Sequence, residues 1–200
     1  CNNTNLISVS SKNSDISNIN VEKVEVHDGG NIISLTNYAN ATLKAIDINN
    51  VLIGTGGSSL IRVSDDFWWN EILNHTISVY DVNVENVAPY SFNTTYDDGY
   101  WDYCRQGVYP LRVVDSFAKT DVANVSVDNC YISNAVYIRA NDLNVSDITV
   151  KNSNSSLGNA LTVISDNNLT LKDISIENMD VLPYRYMYSY VDSATGDRIY

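Results

Sequence analysis

Carboxylates and aromatic rings are concentrated in two stretches of this 200-residue chain, residues 64–75 and 96–109. Paired carboxylates beside aromatic rings suit the cleavage of a sugar polymer, with one carboxyl as the acid, the other as base or nucleophile, and the rings stacked on the sugar. Carboxylate oxygens also suit calcium. Alternatively, such stretches pack on a scaffold or a neighbouring subunit while their acids stay in water, and we favour this interpretation. The acids include Asp65, Asp66, Asp97 and Asp98, and the candidate binding or interface residues are Trp68, Trp69, Tyr100 and Trp101.

These stretches interrupt a phrase that returns six times along the chain. In each copy one polar residue separates two aliphatic residues, and the copies end near residues 23, 50, 86, 129, 152 and 178. Successive ends are 27, 36, 43, 23 and 26 residues apart. This indicates a stacked repeat of about 25 residues, with insertions at 64–75 and 88–120. Five copies end in asparagine: Asn50, Asn86, Asn129, Asn152 and Asn178.

Alternation of apolar and polar residues predicts strands, because a strand shows successive side chains to opposite faces. Upstream of the phrase lies a second aliphatic pair, such as Leu169 and Leu171, which is out of phase with Ile174 and Ile176. A straight strand cannot turn both pairs inward. We therefore predict a corner just before the first aliphatic residue of the phrase. A third strand is predicted after each asparagine turn, at 32–35, 59–63, 135–138 and 160–163.

Over roughly residues 14–182, this pattern resembles the right-handed parallel β-helix, or pectin-lyase-like, repeat proteins. The resemblance implies an all-β solenoid, a single chain wound into about six or more coils. It also implies that the repeated asparagines stack in a ladder at an interior corner, where buried amides hydrogen-bond one another. Solvent-exposed turn asparagines are the alternative. We expect one domain over residues 1–200, and the lack of a polar cap near Tyr200 suggests that the natural protein continues.

The resemblance does not bring the catalytic motifs of the pectin-degrading hydrolases with it. Of their Asn-Thr-Asp, Asp-Asp, Gly-His-Gly and Arg-Ile-Lys motifs, the chain has only Asp65-Asp66, and neither of its histidines, His27 and His75, stands between glycines. The lyases of this fold use calcium-binding acids and a basic residue on the coil face. Arg62 and Arg139 could imitate that base, but no matching constellation stands near them. We assign no catalytic residue and no cofactor, with calcium as the one ion worth testing.

Composition narrows the classes of partner. The formal net charge is −12, and the sequence pI is about 4.3. Such a balance disfavours nucleic acid, whose phosphates need Lys and Arg, and it disfavours anionic membrane surfaces. No run of 18 or more apolar residues is present, so we expect no membrane span.

Eight Asn-x-Ser/Thr sequons predict an N-glycosylated, secreted or cell-surface protein. The strand phase places several of the acceptor asparagines on outward positions, where a glycan could project into solvent. An Asn- and Ser-rich coil without glycans is the alternative. The acceptors are Asn2, Asn40, Asn74, Asn93, Asn124, Asn144, Asn154 and Asn168.

Three cysteines, Cys1, Cys104 and Cys130, leave one thiol unmatched in any intramolecular pairing. Cys130 follows Asn129 in the slot that Val51 and Val87 fill in other copies, which is typical of a small buried hydrophobe. We predict instead a disulfide between Cys104 and Cys130 that pins the second insertion to the coil. The role of Cys1 stays open between acylation, a further disulfide and truncation.

Four tyrosines near the end of the chain alternate with other residues, so a strand there presents them on one face. We expect a subunit contact, with internal packing or carbohydrate binding as the alternatives. These residues are Tyr184, Tyr186, Tyr188 and Tyr190.

Together these features predict a non-enzymatic, extracellular glycoprotein, a rigid subunit of a surface fibre, appendage, sheath or adhesin. Its expected partners are other copies of itself or other surface proteins, covalent N-glycans and external polysaccharide. The alternatives are a polysaccharide lyase or glycosidase, or a lectin-like module, that uses the acidic and aromatic insertions.

Overall fold

The computed structural model describes ten ranges of the chain: residues 5–26, 30–36, 38–53, 59–64, 75–89, 108–132, 134–155, 159–181, 190–191 and 198–199. Within them, no helix is long and apolar enough to cross a membrane. The strands are β1 (Asn5–Ser10), β2 (Asn13–Glu22), β3 (Glu25–Val26), β4 (Asn31–Thr36), β5 (Asn40–Ile53), β6 (Ser59–Ser64), β7 (His75–Pro89), β8 (Tyr109–Ile132), β9 (Val136–Lys151), β10 (Asn154–Ser155), β11 (Leu161–Glu177), β12 (Asp180–Val181), β13 (Tyr190–Val191) and β14 (Arg198–Ile199).

Strands β1 to β12 form six coils, each stacked in parallel on the one before. The coils are β1–β3, β4–β5, β6–β7, β8, β9–β10 and β11–β12. On one wall the parallel pairs run β1, β4, β6, β8, β9, β11, and on the next they run β2, β5, β7, β8, β9, β11. The prediction of an all-β parallel β-helix is therefore confirmed. Each coil also has a short fourth segment after the asparagine turn, such as β10 or β12, that the sequence pattern did not predict.

Two corners of every coil are made by a residue with positive φ. Twelve non-glycine residues have φ between 49° and 58°, and they come in pairs five residues apart, from Asn18 and Lys23 to Asp173 and Asn178. Ten of the twelve are Asn or Asp, the residues whose short polar side chains best tolerate the left-handed conformation. The corner predicted before Ile46, Val82, Ile148 and Ile174 is confirmed, with positive φ at Ala45, Asp81, Asp147 and Asp173.

The repeated asparagines hydrogen-bond from coil to coil, but their predicted interior position is wrong. Two of these bonds join members of the set, while Asn86 donates to Asn49 Oδ1 and Asn152 donates to Asp128 Oδ1. Asn129 Nδ2 donates to Asn86 Oδ1 at 2.7 Å, and Asn178 Nδ2 donates to Asn152 Oδ1 at 3.0 Å. Asn50, Asn129, Asn152 and Asn178 are exposed, and Asn86 is partly so. A left-handed corner turns the side chain outward, so asparagine recurs here because of its backbone conformation and because of amide stacking along the outside of the coil.

The lumen of the solenoid is filled by columns of aliphatic side chains. One column runs in register through Ile16, Leu43, Val79, Val122, Val145 and Leu171. Leu143 and Val145 are 1% exposed and Val150 is fully buried, whereas in the last coil Leu169, Leu171 and Ile176 are 49%, 46% and 48% exposed. The aliphatic side chains of each coil are therefore buried by the coil that follows it. The last coil leaves its inner face open in the described structure.

Candidate ligand-binding face

Much of what the sequence singled out as chemistry lies outside the described residues. This holds for Asp65, Asp66, Asp97 and Asp98, for Trp68, Trp69, Tyr100 and Trp101, and for Tyr184, Tyr186 and Tyr188. Tyr190 begins β13, which pairs antiparallel with β14, and its side chain is not described. The sugar-cleaving, calcium-binding and interface roles of these residues stay predictions. Among the described side chains, no group of three or more His, Cys, Asp or Glu residues is placed to hold a metal ion.

Five of the eight predicted glycan acceptors are described, and all five side chains are exposed: Asn40, Asn124, Asn144, Asn154 and Asn168. Four of them also join outward ladders. Asn124 Nδ2 donates to Asp81 Oδ1 at 2.6 Å, for example, and Asn144 Nδ2 donates to Asp121 Oδ1 at 2.7 Å. The predicted outward position of Asn40, Asn124, Asn144 and Asn168 is confirmed. The glycosylation of all five stays a prediction. Asn2, Asn74 and Asn93 lie outside the described residues.

Cys130 is a free, buried thiol, so the predicted disulfide with Cys104 is wrong. It aligns with Val87, which aligns with Val51, and its Sγ donates to the Asp128 carbonyl oxygen at 3.1 Å. Burial raises the pKa of the thiol to about 12, which keeps it protonated at neutral pH and therefore a poor nucleophile. Cys130 is the small hydrophobe that its slot suggested, while Cys1 and Cys104 lie outside the described residues.

A cluster of arginine and tyrosine stands on the outer side of the wall made by β6, β8 and β9. Arg62 and Arg112 are opposite each other in register, and Tyr137 is opposite Arg112 on the other side. Alternation positions them, because Ile61, Val63, Leu111 and Val113 on either side of the two arginines are fully buried in the lumen. We call this surface the arginine–tyrosine face, and it consists of Arg62, Tyr109, Arg112, Tyr137 and Arg139.

Arg112 is the centre of the arginine–tyrosine face. Its guanidinium carbon lies 5.4 Å from the ring centroid of Tyr109 and 6.0 Å from that of Tyr137. The two rings meet edge to face, with centroids 6.0 Å apart. Cation–π contacts of this kind contribute about 0.5–1 kcal/mol each at exposed sites, enough to orient a side chain. Arg112 is thus held by rings rather than by carboxylates, and in the described part of the chain no acidic side chain pairs with it.

Two further arginines flank Arg112, and each has a partner of its own. Arg62 Nε donates to Ser64 Oγ at 3.1 Å. Arg139 Nη2 lies 4.0 Å from Asp166 Oδ2, and the side chains of Arg139 and Asp166 are each 45% exposed. Partial burial raises the pKa of Tyr109, although the charge of Arg112 offsets part of this effect. The Tyr109 hydroxyl therefore stays protonated at neutral pH and can donate a hydrogen bond. Guanidinium and phenol donors beside ring faces suit a ligand that carries carboxylate or sulfate groups on an apolar frame.

A second cluster of polar side chains is sealed inside the coil. His75 Nδ1 and Asp115 Oδ2 are 2.7 Å apart, both side chains are 1% exposed, and the ring of Tyr38 packs edge to face on His75 at 5.7 Å. Asp115 Oδ1 also accepts a hydrogen bond from the backbone N–H of Phe117. Two extra residues widen β8 here, between its pairings at Asp115 and Lys119. Because a polymer cannot reach this cluster, we assign it a structural role.

Sequence reasoning noticed only part of the face. Arg62 and Arg139 were considered as a possible lyase base, while Tyr109, Arg112 and Tyr137 were not singled out. A signal was present, since SLIRV (59–63) and YPLRV (109–113) carry arginine at the same phase. Recognising it required the pairing of strands that lie on either side of a long insertion.

The fold and this face define the chain as a parallel β-helix protein with a cationic and aromatic outer surface. No family model matches the chain, and neither does any curated protein or solved structure. The pectin-lyase-like or adhesin-type relationship suggested by the repeat therefore stays a prediction.

Proposed function

We propose that this chain is an extracellular structural or adhesive protein that binds anionic glycans through its arginine–tyrosine face. It acts without catalysis, as a rigid rod that holds a polysaccharide against its outer wall. The observation that carries the proposal is the bracketing of Arg112 by Tyr109 and Tyr137, with no acidic partner among the described residues, on a chain of net charge −12. The charge of Arg112, which pairs with no acidic side chain of the described residues, favours an anionic ligand.

The arrangement of the face supports a polymer rather than a small ion. Arg62, Arg112 and Tyr137 follow one another across three parallel strands, about 4.8 Å apart. A chain of uronate or sulfated sugars laid along the coil axis would present repeated anionic groups to this row, and its sugar rings would lie against the tyrosines.

The glycoprotein part of the proposal rests on the exposure of the described sequon asparagines. Outward amides on a rigid coil are accessible to glycans without disturbing the aliphatic columns. Mass spectrometry of native material before and after enzymatic glycan removal tests this part, and an unchanged mass would contradict it.

Binding of heparin, polygalacturonate and neutral dextran by isothermal titration calorimetry tests the main proposal. The two anionic polymers should bind and dextran should not. Because a charged hydrogen bond contributes about 1.5–3 kcal/mol, Arg112→Gln should weaken binding about 10- to 100-fold. Lys44→Gln, which removes the same charge from an outward position on β5, is the matched control and should bind like the unmodified chain. Equal loss in both variants, or no binding of any anionic polymer, would contradict the proposal.

A further inference from the structure

The last coil presents an apolar face on which none of the described strands lies. β11 pairs only with β9, and the β13–β14 hairpin forms a separate two-stranded sheet, so the described part of the tail adds no strand to this edge. The exposed aliphatics Leu169, Leu171 and Ile176 continue columns that are fully packed one coil below. Such an edge, with open backbone groups beside apolar side chains, favours the addition of another parallel strand.

The first coil carries the pattern that this face requires. In the shared register Ile16, Ile19 and Val21 occupy the columns of Leu171, Ile174 and Ile176. The first coil of a second molecule, laid on the last coil of another, would therefore place aliphatic residues on aliphatic residues. Ile16 is only 8% exposed, so most of the newly buried apolar area would come from the last coil.

Hydrogen bonds between polar side chains on the outside of the coil also have a fixed direction along the coil axis. Within the molecule, a side-chain amide in a later coil donates to an acceptor in the coil before it. Asn40 Nδ2 donates to Asn13 Oδ1, Asn124 Nδ2 to Asp81 Oδ1 and Asn178 Nδ2 to Asn152 Oδ1. The direction of these hydrogen bonds is the same in all three.

The two ends of the solenoid complement each other in this same direction. The first coil offers the donors Asn13, Asn18 and Lys23, and the last coil has the acceptors Asn168, Asp173 and Asn178 in the same three columns. Two like-charged pairs, Glu22 over Glu177 and Glu25 over Asp180, would also form. The charges of the first pair are offset by Lys23, which lies 3.1 Å from Glu22, and by Lys151, which is paired in register with Glu177.

We infer that copies of this chain join head to tail, with the first coil of one molecule docked on the last coil of the next. Parallel pairing requires this polarity, because the strands of two last coils brought face to face would run antiparallel to each other. The contact is heterologous, so it extends into a filament unless it closes into a ring. The inference is independent of glycan binding, since Arg112 lies on the outer wall of β8 and not at either end.

A charge swap at one column tests the inference by analytical ultracentrifugation over a range of concentrations. The unmodified chain should at least double its weight-average mass as concentration rises. Asp173→Lys should stay at the monomer mass over the concentrations at which the unmodified chain associates, because it removes the carboxylate that would accept from Asn18 Nδ2. Adding Asn18→Asp to Asp173→Lys should restore association, since the new carboxylate would face the new ammonium. Both positions tolerate these residues, because Lys23 and Asp81 already adopt φ of 58° at such corners.

Asp147→Lys, in the same column one coil lower, is the matched control and should associate like the unmodified chain. A monomer at every concentration would overturn the inference and would indicate that the chain's own C-terminal segment covers the last coil. Association that survives Asp173→Lys, or that Asn18→Asp fails to restore, would also overturn it. Glycan binding measured on the Asp173→Lys variant reports on the proposed function separately, so the failure of one proposal does not obscure the other.

Discussion

The fifth and sixth coils have nearly the same sequence pattern but opposite environments. Leu143 and Val145 of β9 are buried, whereas Leu169 and Leu171 of β11, their partners in register, are about half exposed. The corners are equally similar, with φ of 55° at Asp147 and 52° at Asp173. Local conformation is thus a property of each repeat, while burial is a property of the stack. This separation is expected of solenoids, in which each repeat gains stability from its neighbours.

The largest effect is expected where the buried, hydrogen-bonded His75–Asp115 pair is compared with the exposed Arg139–Asp166 ion pair, which links the fifth and sixth coils. His75→Leu should lower the free energy of unfolding by about 3–5 kcal/mol, because it leaves the buried Asp115 carboxylate without its partner. Asp166→Asn removes the exposed partner of Arg139 and should cost only about 0–1 kcal/mol. Urea denaturation measures both changes. Similar costs for the two variants would mean that the His75–Asp115 pair is not sealed from water.

A matched pair of leucines tests the comparison of the two coils directly. Leu143→Ala should cost about 2–5 kcal/mol, since it removes packed atoms and leaves a cavity, whereas Leu169→Ala should cost less than about 1 kcal/mol. Both values come from urea denaturation at a concentration where the chain is monomeric. An equally large cost at Leu169 would show that the last coil is covered in solution.

The smallest difference is expected at the asparagine corners, where the fourth and sixth coils should agree. Asn129 and Asn178 both have φ of 50°. Replacement by Val, which is β-branched and disfavours this region, should cost about 1–2 kcal/mol at either position. The corresponding Gly variants, which keep the backbone free to adopt positive φ, are the controls and should lose only the stacking hydrogen bond. A markedly larger cost for Asn129→Val would mean that the corner depends on its place in the stack.

Sequence patterns predicted the coil well and the sites poorly. The phase change before Ile46, Val82, Ile148 and Ile174 correctly located one left-handed corner, because a one-residue shift in alternation has few other physical solutions. The ladder asparagines were placed on the wrong side, since alternation continued through Asn178 assumes a strand, whereas the positive φ at Asn178 ends the alternation. Cys130 shows the same limit, because its slot predicts burial but contains no information on whether Cys104 comes within bonding distance.

The repeat by itself determined that this chain is a parallel solenoid, because period, phase and corner residues are local properties that each copy states again. Only the tertiary structure decided which residues meet across coils. Arg112 is 50 residues from Arg62 and 25 from Tyr137 in sequence, yet the three are neighbours because the strands keep their register although the sequence between them differs in length. Likewise, positions 143 and 169 are both leucine at the same phase of the repeat. Leu143 is core because β11 lies on it, and Leu169 is surface because no described strand lies on it.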